Sequence, residues 1–439
     1  MKNIIVGLLA VFVCSATYGA NDESSKLAIY QYAVYLLPDS DGDPTATVKE
    51  LVASDFADFS IIEKVDGPPA EPLLLLTTVS DVKDSYAPPD MESLSYKGRG
   101  LSRDQGLALQ ESETALVIDV GYPLTMASIA FPAALQLMAA VAEKHNGLIW
   151  DEATREVFTV AAWRERRIDT WNEGVPNVQD HTAIHAYKNG DYVRAITLGM
   201  EKFGQPDIVV NDFAWSNNRA IGSLINLVTQ TLIEGGVLDD KLSLAIDIQA
   251  IRNTEAREDL LASLFDNAEP ALRLSFKPEV PDEGDPDNFL LAILFDSAAG
   301  ASPQEQQEAL LSTLFGSADA ITYVDHDAQL LAASEAAQKK LPRLRDAFSA
   351  GLEPGEFIYV KAPFTTADGG SEWMWVEIIN WEGNTIRGLL QNDPYHVPDL
   401  KAGAEVTVNM DEIFDYIRVR ADGTREGNET GRIMQQYSQ

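Results

Sequence analysis

The N-terminal half of the chain alternates between apolar runs typical of strands and apolar stripes typical of helices. Residues 27–37 form a β-branched and aromatic run that predicts a buried strand. Pro44 follows Asp43 and predicts a helix that begins there, with Asp43 as its N-cap. Residues 132–146 predict a longer helix, because their apolar positions cluster and Gly147 follows as a stop. Helices that lead into strands in this way indicate an α+β fold.

The middle of the chain continues this pattern after a long loop at residues 86–103, which are rich in Pro, Gly and Ser. Two strand-like runs at 181–187 and 192–199 flank Asn189-Gly190, which predicts a hairpin. We place a boundary at residues 172–179. An N-terminal α+β domain then covers 21–172, and 173–325 forms a second α+β domain or a continuation of the first.

The C-terminal part has the tightest spacing of elements. A helix is predicted from about 326 to 341, and residues 326–420 form one domain. Five short strands follow it, near residues 356–363, 373–380, 384–391, 404–409 and 414–420. Strands this close together predict a small curved antiparallel sheet or SH3-like barrel. Residues 421–439 are polar and Gly-rich and predict a flexible tail.

The first twenty residues have the pattern of a secretory signal peptide. Lys2 precedes an apolar run at 4–13, and small residues follow it. We expect cleavage between about Ala16 and Ala20 and a periplasmic or secreted location, with an uncleaved anchor or a lipoprotein at Cys14 as alternatives. Cys14 is the only cysteine, so the mature chain would contain no disulfide and no thiolate site. No later run looks long and apolar enough for a membrane span, so we expect none in the mature chain.

The charge balance limits the partners. The chain has 33 basic and 68 acidic residues, a formal net charge of −35, and such a surface repels nucleic-acid phosphates. We therefore exclude nucleic acid as a main partner. Apolar residues make up 45% of the chain, which is ordinary for a globular protein. The acidity is explained by solubility, or more sharply by a cationic ligand.

One short segment resembles a calcium loop. Asp39, Asp41, Asp43 and Glu50 lie at positions 1, 3, 5 and 12, where a calcium loop places its oxygen ligands. Position 6 is Pro44, although that turn needs Gly. The alternative is a strand-to-helix turn whose carboxylates cap the helix.

No catalytic set is complete, so we predict no catalytic residue. His181 and His185 lack the Glu of a His-Glu-x-x-His site, and the Ser80 and Lys83 pair lacks its companion motifs. Gly-rich nucleotide-binding loops are also missing, and we predict no cofactor. Carboxylate pairs stay open, because the sequence cannot show which of the 68 acids meet.

The C-terminal domain resembles a YegJ-like domain of unknown function, over about residues 328–420. The resemblance rests on Pro354-Gly355-Glu356, Val360-Lys361-Ala362-Pro363-Phe364, Glu372-Trp373-Met374-Trp375-Val376, Gly388-Leu389-Leu390-Gln391-Asn392-Asp393-Pro394, Leu400-Lys401-Ala402-Gly403 and Asp411-Glu412-Ile413 with Asp415. Members of that family often have His where Trp373 stands and Trp where Tyr416 stands. The resemblance implies no activity, because the family has none assigned.

The polar residues of these motifs form a candidate binding patch. Lys361, Glu372, Asn392 and Asp415 lie within or beside predicted strands, where a buried polar group needs a partner. Trp373 and Tyr395 could rim such a patch. A mutual structural network of the polar groups is the alternative. We therefore predict an exported, non-catalytic protein that binds an unknown protein or small molecule, with a carboxylate hydrolase and a divalent-cation-binding protein as alternatives.

Overall fold

The structure, a computed structural model, describes residues 27–437 except 190–191, 215–216, 265–267, 287, 301, 317–327, 353–355, 367–370, 392–393, 395–396, 398–399 and 421–423. The predicted signal peptide lies outside the described residues. The fold is mixed α+β, as predicted. Contacts divide the chain into two compact units. The first consists of Met1–Asp90, Asp104–Phe213 and Arg219–Ser317, and the second of Met91–Arg103, Ala214–Asn218 and Ala318–Gln439.

The elements up to residue 315 follow one another in mixed order. They are β1 (Leu27–Leu36), α1 (Pro44–Ser54), β2 (Ser60–Ile62), β3 (Leu73–Val79), α2 (Val82–Ser85), α3 (Met91–Lys97), β4 (Gly98–Arg99), α4 (Arg103–Gln110), β5 (Thr114–Pro123), α5 (Ala127–Lys144), β6 (Gly147–Asp151), β7 (Glu156–Phe158), α6 (Val160–Trp163), β8 (Ala183–Asn189), β9 (Tyr192–Leu198), β10 (Asp207–Phe213), α7 (Asn218–Ile233), β11 (Ser243–Asp247), α8 (Thr254–Ala262), β12 (Ala271–Glu279), β13 (Leu290–Leu294) and α9 (Pro303–Phe315). The loop predicted at 86–103 is wrong, because α3 and β4 lie within it.

The first sheet of the first unit is built around β1. Its strands in this unit pair in the order β2-β3-β5-β1-β6-β7, all antiparallel except β2 with β3. The apolar run predicted as a buried strand is β1, which pairs over ten residues with β5. Helix α5 packs its apolar side against this sheet, and both belong to one hydrophobic core. Asp43 caps α1 as predicted.

Helix α5 corrects one expectation. Residues 124–144 are long and apolar enough to cross a membrane by length and composition alone. The expectation that no segment after the signal passes that test is therefore wrong. In the structure, nine of its side chains, from Ala130 to Ala142, are buried in the protein core.

The second sheet of the first unit has the order β11-β12-β13-β10-β9-β8. Its pairs are antiparallel except for β10 with β13. The hairpin predicted around Asn189 is confirmed, because β8 pairs with β9 from Ala183 to Asn189. The sequence leaves open whether residues 21–325 form one domain or two. In the structure, both sheets belong to one compact unit.

The second unit contains two helices followed by a six-stranded antiparallel sheet. Its elements are α10 (Ala328–Gln338), α11 (Leu341–Ala350), β14 (Phe357–Thr365), β15 (Ser371–Glu382), β16 (Thr385–Leu390), β17 (Glu405–Asn409), β18 (Asp415–Val419), β19 (Arg425–Gly427) and α12 (Glu429–Tyr437). The sheet order is β17-β16-β15-β14-β18-β19. Every predicted strand is present, within a few residues of its expected ends.

The flexible tail predicted at 421–439 is wrong. Residues 425–427 form β19, which pairs with β18, and residues 429–437 form α12. The polar composition misled the prediction, because the first turn of α12 is held by a buried carboxylate on β18 and not by apolar packing alone.

Candidate functional site

The two faces of the C-terminal sheet differ in character. Ile358, Val360 and Ala362 on β14 point to the core of the second unit, as do Met374 and Val376 on β15. The alternate residues lie on the opposite side, which we call the outer face. The outer face carries Tyr359, Lys361, Trp373, Trp375 and Glu377, all half-buried. The sheet thus offers one apolar side to its helices and a mixed aromatic and charged side elsewhere.

Strand pairing brings these outer-face residues together. Tyr359 lies directly opposite Glu377, Lys361 opposite Trp375, and Pro363 opposite Trp373. Residues paired across antiparallel strands have neighbouring side chains. The ammonium of Lys361 lies 5.8 Å from the centroid of the Trp375 ring, within the range of a cation–π contact. The strand register therefore positions a cation beside the Trp375 ring.

The charges of the outer face are shifted by burial. Burial lowers the pKa of Lys361, although the carboxylate of Asp415 opposes that shift. Burial also raises the pKa of Glu377, whose carboxylate accepts a hydrogen bond of 3.4 Å from the Gln391 amide. Burial raises the pKa of Tyr359 to about 12. Each group is partly desolvated, so a ligand that supplies new polar contacts would replace solvation already lost.

Asp415 is positioned beside Lys361 but has a structural task. It is fully buried, and Lys361 is its direct partner in the β14–β18 register. One oxygen accepts from the backbone N–H of Tyr416, and the other accepts from the N–H and the hydroxyl of Thr430, the latter at 2.6 Å. These bonds anchor the start of α12. Asp415 is therefore part of a structural hydrogen-bond network and not of an open ligand-binding surface.

The remaining members of the predicted patch are divided. Glu372 lies opposite Phe364 in the register, on the other side of the sheet from Trp373. Trp373 packs on Phe414, with 4.7 Å between their ring centroids. Asn392 and Tyr395 lie outside the described residues. The structure thus brings Lys361, Trp373 and Asp415 together and adds Tyr359, Trp375 and Glu377, which the sequence reasoning did not assign to the patch.

An open groove is also lined by residues of this sheet. It has a volume of about 390 Å³ and is lined by Phe364, Thr365, Thr385, Thr407 and Glu412 with their neighbours. Thr385 and Phe364 pair with opposite ends of β15, yet they line one groove. The strand must therefore bend strongly, which agrees with the small curved sheet that the sequence predicts.

The predicted calcium ligands do not converge. Asp43 accepts hydrogen bonds from the N–H groups of Thr45 and Ala46, and Glu50 pairs with Lys144 at 3.1 Å. The exposed carboxylates of Asp39 and Asp41 flank this turn. Over the described residues, no group of three or more His, Cys, Asp or Glu side chains lies close enough to hold a metal ion. The capping alternative accounts for Asp43.

The first unit contains a cluster that the sequence reasoning missed, which we call the buried charge cluster. Lys202 donates to Asp151 at 2.6 Å, and both side chains are fully buried. Arg167, 1% exposed, donates to Asp151 at 3.2 Å and to Glu156 at 2.9 Å. Arg167 also lies over the Phe158 ring, 4.5 Å from its centroid. Four charges from β6, β7 and two later turns thus meet inside the protein.

In this cluster, burial and the neighbouring opposite charges shift the pKa values in opposite directions. Burial works to raise the pKa of Asp151, but Lys202 and Arg167 outweigh it and hold that pKa below its usual range. Burial lowers the pKa of Lys202, and Asp151 opposes that shift. His181 lies in the same region, packed by Phe131, Trp171 and Phe203, and burial lowers its pKa well below the usual value. It is therefore a neutral imidazole.

The cluster is not arranged as an open active site. A pocket of about 170 Å³ in the first unit is lined by Pro132, Leu135, Gln136, Ile168 and Trp171, none of which is ionisable. The charged side chains line neither this pocket nor the groove of the second unit. Lys202 and Asp151 have no solvent exposure through which a substrate could reach them. The arrangement therefore suits a structural role at the join of the two sheets.

Comparisons with known proteins identify one region of the chain. No curated protein and no solved structure matches the chain. The matched region, residues 327–438, begins just before α10 and ends after α12, so it includes the outer face, the groove and Asp415. It extends beyond the boundary at 420 that the strand pattern predicts, because it includes β19 and α12. This C-terminal quarter of the chain matches the family described as an uncharacterized protein conserved in bacteria, DUF2314.

Proposed function

We propose that this chain is a non-catalytic binding protein of the cell envelope, which holds a protein or small-molecule ligand on the outer face. The observation that carries the proposal is the half-buried ammonium of Lys361, 5.8 Å from the Trp375 ring, on the side of the sheet opposite the core. Aromatic rings beside a charge are enriched at interaction surfaces, because they supply large contact areas with a specific polar anchor.

The charges of the outer face suggest which chemical groups of a ligand would bind favourably there. Lys361 is partly desolvated, and its nearby carboxylate, Asp415, is already engaged by Thr430. A ligand acceptor that reaches Lys361 would find a cation whose charge is incompletely compensated. The two indole rings would contact the apolar part of the same ligand. The proposed ligand thus carries an acceptor next to an apolar or aromatic group.

The location is proposed from the N-terminal pattern. The short positive segment, the apolar run at 4–13 and the small residues after it support export. The C-terminal motifs support the narrower assignment of residues 328–420 to a YegJ-like group. Edman sequencing of the mature protein from a periplasmic fraction tests the export proposal. A first residue between 17 and 21 is expected, and an intact Met1 in the cytoplasmic fraction would contradict it.

The structure supports the two alternative functions, a carboxylate hydrolase and a divalent-cation-binding protein, less well. A carboxylate hydrolase would need converging acids in a cleft, and the acids that meet around Asp151 are buried. A divalent-cation protein would need the Asp39 segment, in which Asp43 and Glu50 have other partners. Neither alternative has an observation of its own in its favour.

Affinity capture from envelope extracts tests the binding proposal. Wild type, Trp375→Ala and Lys361→Met would be compared, with Ser349→Ala as a control because that exposed serine lies on α11, which packs on the opposite side of the sheet from the outer face. We expect wild type and the control to recover the same partner and both outer-face variants to lose it by ten-fold or more. Equal recovery by all four folded proteins would contradict the assigned face. No specific partner for wild type would contradict the binding function.

A further inference from the structure

The buried charge cluster of the first unit contains more acid than base. In the part of the chain that the structure describes, the cluster holds two cations, Lys202 and Arg167, and the carboxylates of Asp151 and Glu156 that pair with them. Two further acids adjoin the cluster: Glu201 interacts electrostatically with Lys202 and Asp151, and Asp207 interacts in turn with Glu201. Two cations against four carboxylates leave two negative charges uncompensated. Glu201 is half-buried, but Asp151, Glu156 and Asp207 are buried, and the protein interior disfavours such an excess strongly.

Asp207 begins β10 and has no cationic partner among its hydrogen bonds. It is fully buried. Its oxygens accept from the Thr197 hydroxyl at 2.7 Å, from the N–H of Met200 at 3.3 Å and from the Asn288 amide at 2.8 Å. All three donors are neutral, so they orient the carboxyl group without balancing a charge.

Glu201 is the neighbour that completes the pair. Its Oε2 atom is shielded from solvent and has no hydrogen-bond partner among the described residues. An orphaned, buried carboxylate oxygen is rare in proteins and calls for a proton, a water molecule or an ion. The next residue, Lys202, directs its ammonium to Asp151 instead. The carboxyl groups of Glu201 and Asp207 influence each other electrostatically, each raising the cost of ionising the other.

We propose that Glu201 and Asp207 share one proton at neutral pH and act together as a proton-binding site that links the stability of the first unit to pH. The proton belongs to the pair rather than to one named oxygen, because strongly interacting acids titrate together. It lowers the excess negative charge of the cluster and allows Lys202 to remain committed to Asp151. The site therefore tightens the join between the two sheets in mildly acidic surroundings.

The direction of the pH effect follows from which state holds the proton. Burial raises the pKa of both Glu201 and Asp207 in the folded state. In the unfolded chain, both ionise near pH 4, so above that pH the folded state holds a proton that the unfolded state lacks. The stabilisation is complete below about pH 4 and is lost as the pH rises through the raised pKa of the pair.

Other titratable groups that face the pair change their charge in different pH ranges. Asp151 on β6 has a lowered pKa, so its contribution is lost only in strong acid. His181, before β8, stays neutral when folded, so its contribution is lost as the pH falls below about 6.5. Burial raises the pKa of Asp180 to about 6, and its effect ends near that pH. Burial raises the pKa of Tyr30 and Tyr32 on β1 and of Tyr122 on β5, and Glu156 and Asp151 raise that of Arg167, so these groups keep their charge states at neutral pH. Burial lowers the pKa of Lys202, and Asp151 opposes that shift. At pH 7 and above, the contributions of His181 and Asp180 have largely ended, and the pair dominates the pH dependence.

The test is the pH dependence of unfolding of the first unit in the full chain. Trp163 is fully buried there and packs on Tyr32, so fluorine NMR of 5-fluorotryptophan reports its folded and unfolded populations in urea. The signal is assigned with Trp163→Phe. We expect the unfolding constant of wild type to rise about ten-fold for each pH unit from about 7 up to the pKa of the pair. Asp180→Asn, which removes an acid outside this window, should keep that slope.

Asp207→Asn and Glu201→Gln should flatten the profile, because each removes the shared proton. Infrared spectroscopy at pH 7 gives a second reading on folded wild type. We expect a carbonyl band of a protonated carboxyl group that disappears in either variant and persists in Asp180→Asn. A flat wild-type profile between pH 7 and 8 would overturn the proposal, as would the absence of that band. If the variants fail to fold, the wild-type slope and band still decide the question.

Discussion

Gly199 occupies a restricted backbone position in the first unit. Its φ of +108° is one that side chains rarely allow, and an added Cβ would lie 3.0 Å from both the His181 carbonyl oxygen and the Thr154 methyl group. We expect Gly199→Ala to destabilise the first unit by about 2–4 kcal/mol, from backbone strain together with this close contact. Urea unfolding followed by fluorotryptophan NMR at Trp163 measures the change.

Gly235 provides the matched control for that prediction. Its φ is +96°, but no heavy atom lies within 4 Å of an added Cβ. Gly235→Ala should therefore cost only the backbone strain, about 1 kcal/mol. Equal losses in the two variants would show that the space around Gly199, beside the buried charge cluster, is not restrictive.

Lys202 links two elements that are far apart in the sequence. It lies in the short helical turn between β9 and β10, and its partner Asp151 ends β6. Lys202→Met keeps much of the side chain's volume but leaves a buried carboxylate with Arg167 alone. We expect a loss of about 3 kcal/mol in the free energy of unfolding of the first unit, because breaking a buried pair strands a charge.

The exposed pair of Lys144 and Glu50 is the control for Lys202. Its two charged atoms are 3.1 Å apart, compared with 2.6 Å in the buried pair, and both side chains are more than half exposed. Lys144→Met should therefore change the stability by less than about 1 kcal/mol. A comparable effect of both substitutions on the urea midpoint would contradict the importance given to the buried cluster.

A buried carboxylate anchors the first turn of helix α12. Asp415 accepts both the N–H and the hydroxyl of Thr430, which is fully buried at the first turn of the helix. Thr430→Val keeps the shape and removes one donor to a charged group, at a cost of about 1–2 kcal/mol. Hydrogen exchange of the α12 amides should accelerate, while exposed Thr407→Val leaves them unchanged. Unchanged protection in Thr430→Val would show that other contacts hold the helix.

The elements of the second unit were predictable where apolar residues alternate. Ile358, Val360 and Ala362 mark β14, and Met374 and Val376 mark β15, so a period of two was visible in the sequence. Helix α12 was not predictable in this way. Its anchor is a hydrogen bond between Asp415 and Thr430, fifteen residues apart, and such a pair leaves no periodic signal.

At the scale of the whole molecule, the net charge could be predicted from the sequence, but the meeting of the buried charges could not. The net charge of −35 was readable from the sequence and indicates an acidic surface. The meeting of Asp151, Arg167 and Lys202 was not readable, because these residues come from separate elements and no fixed spacing relates them. The candidate site shows the same limit: Lys361 and Trp373 were found by motif, whereas Trp375 and Glu377 joined them only through strand register.

The proposed division of roles is that the second unit binds and the first unit supports an exported chain in changing surroundings. The family match covers only the C-terminal region, which contains the outer face. We therefore expect the ligand-binding residues to lie on β14 and β15. The first unit would contribute the pH-linked pair of acids proposed above.

Photo-cross-linking from the outer face in living cells tests the central claim most directly. A benzoylphenylalanine at position 359, on β14 of the outer face, would be compared with one at the exposed position 349 on α11, the helix that packs on the opposite side of the sheet. We predict a discrete cross-linked product from position 359 that is lost when Lys361→Met is added, and no such product from position 349. The same product from both positions, or none from position 359 in a folded and exported chain, would contradict the account.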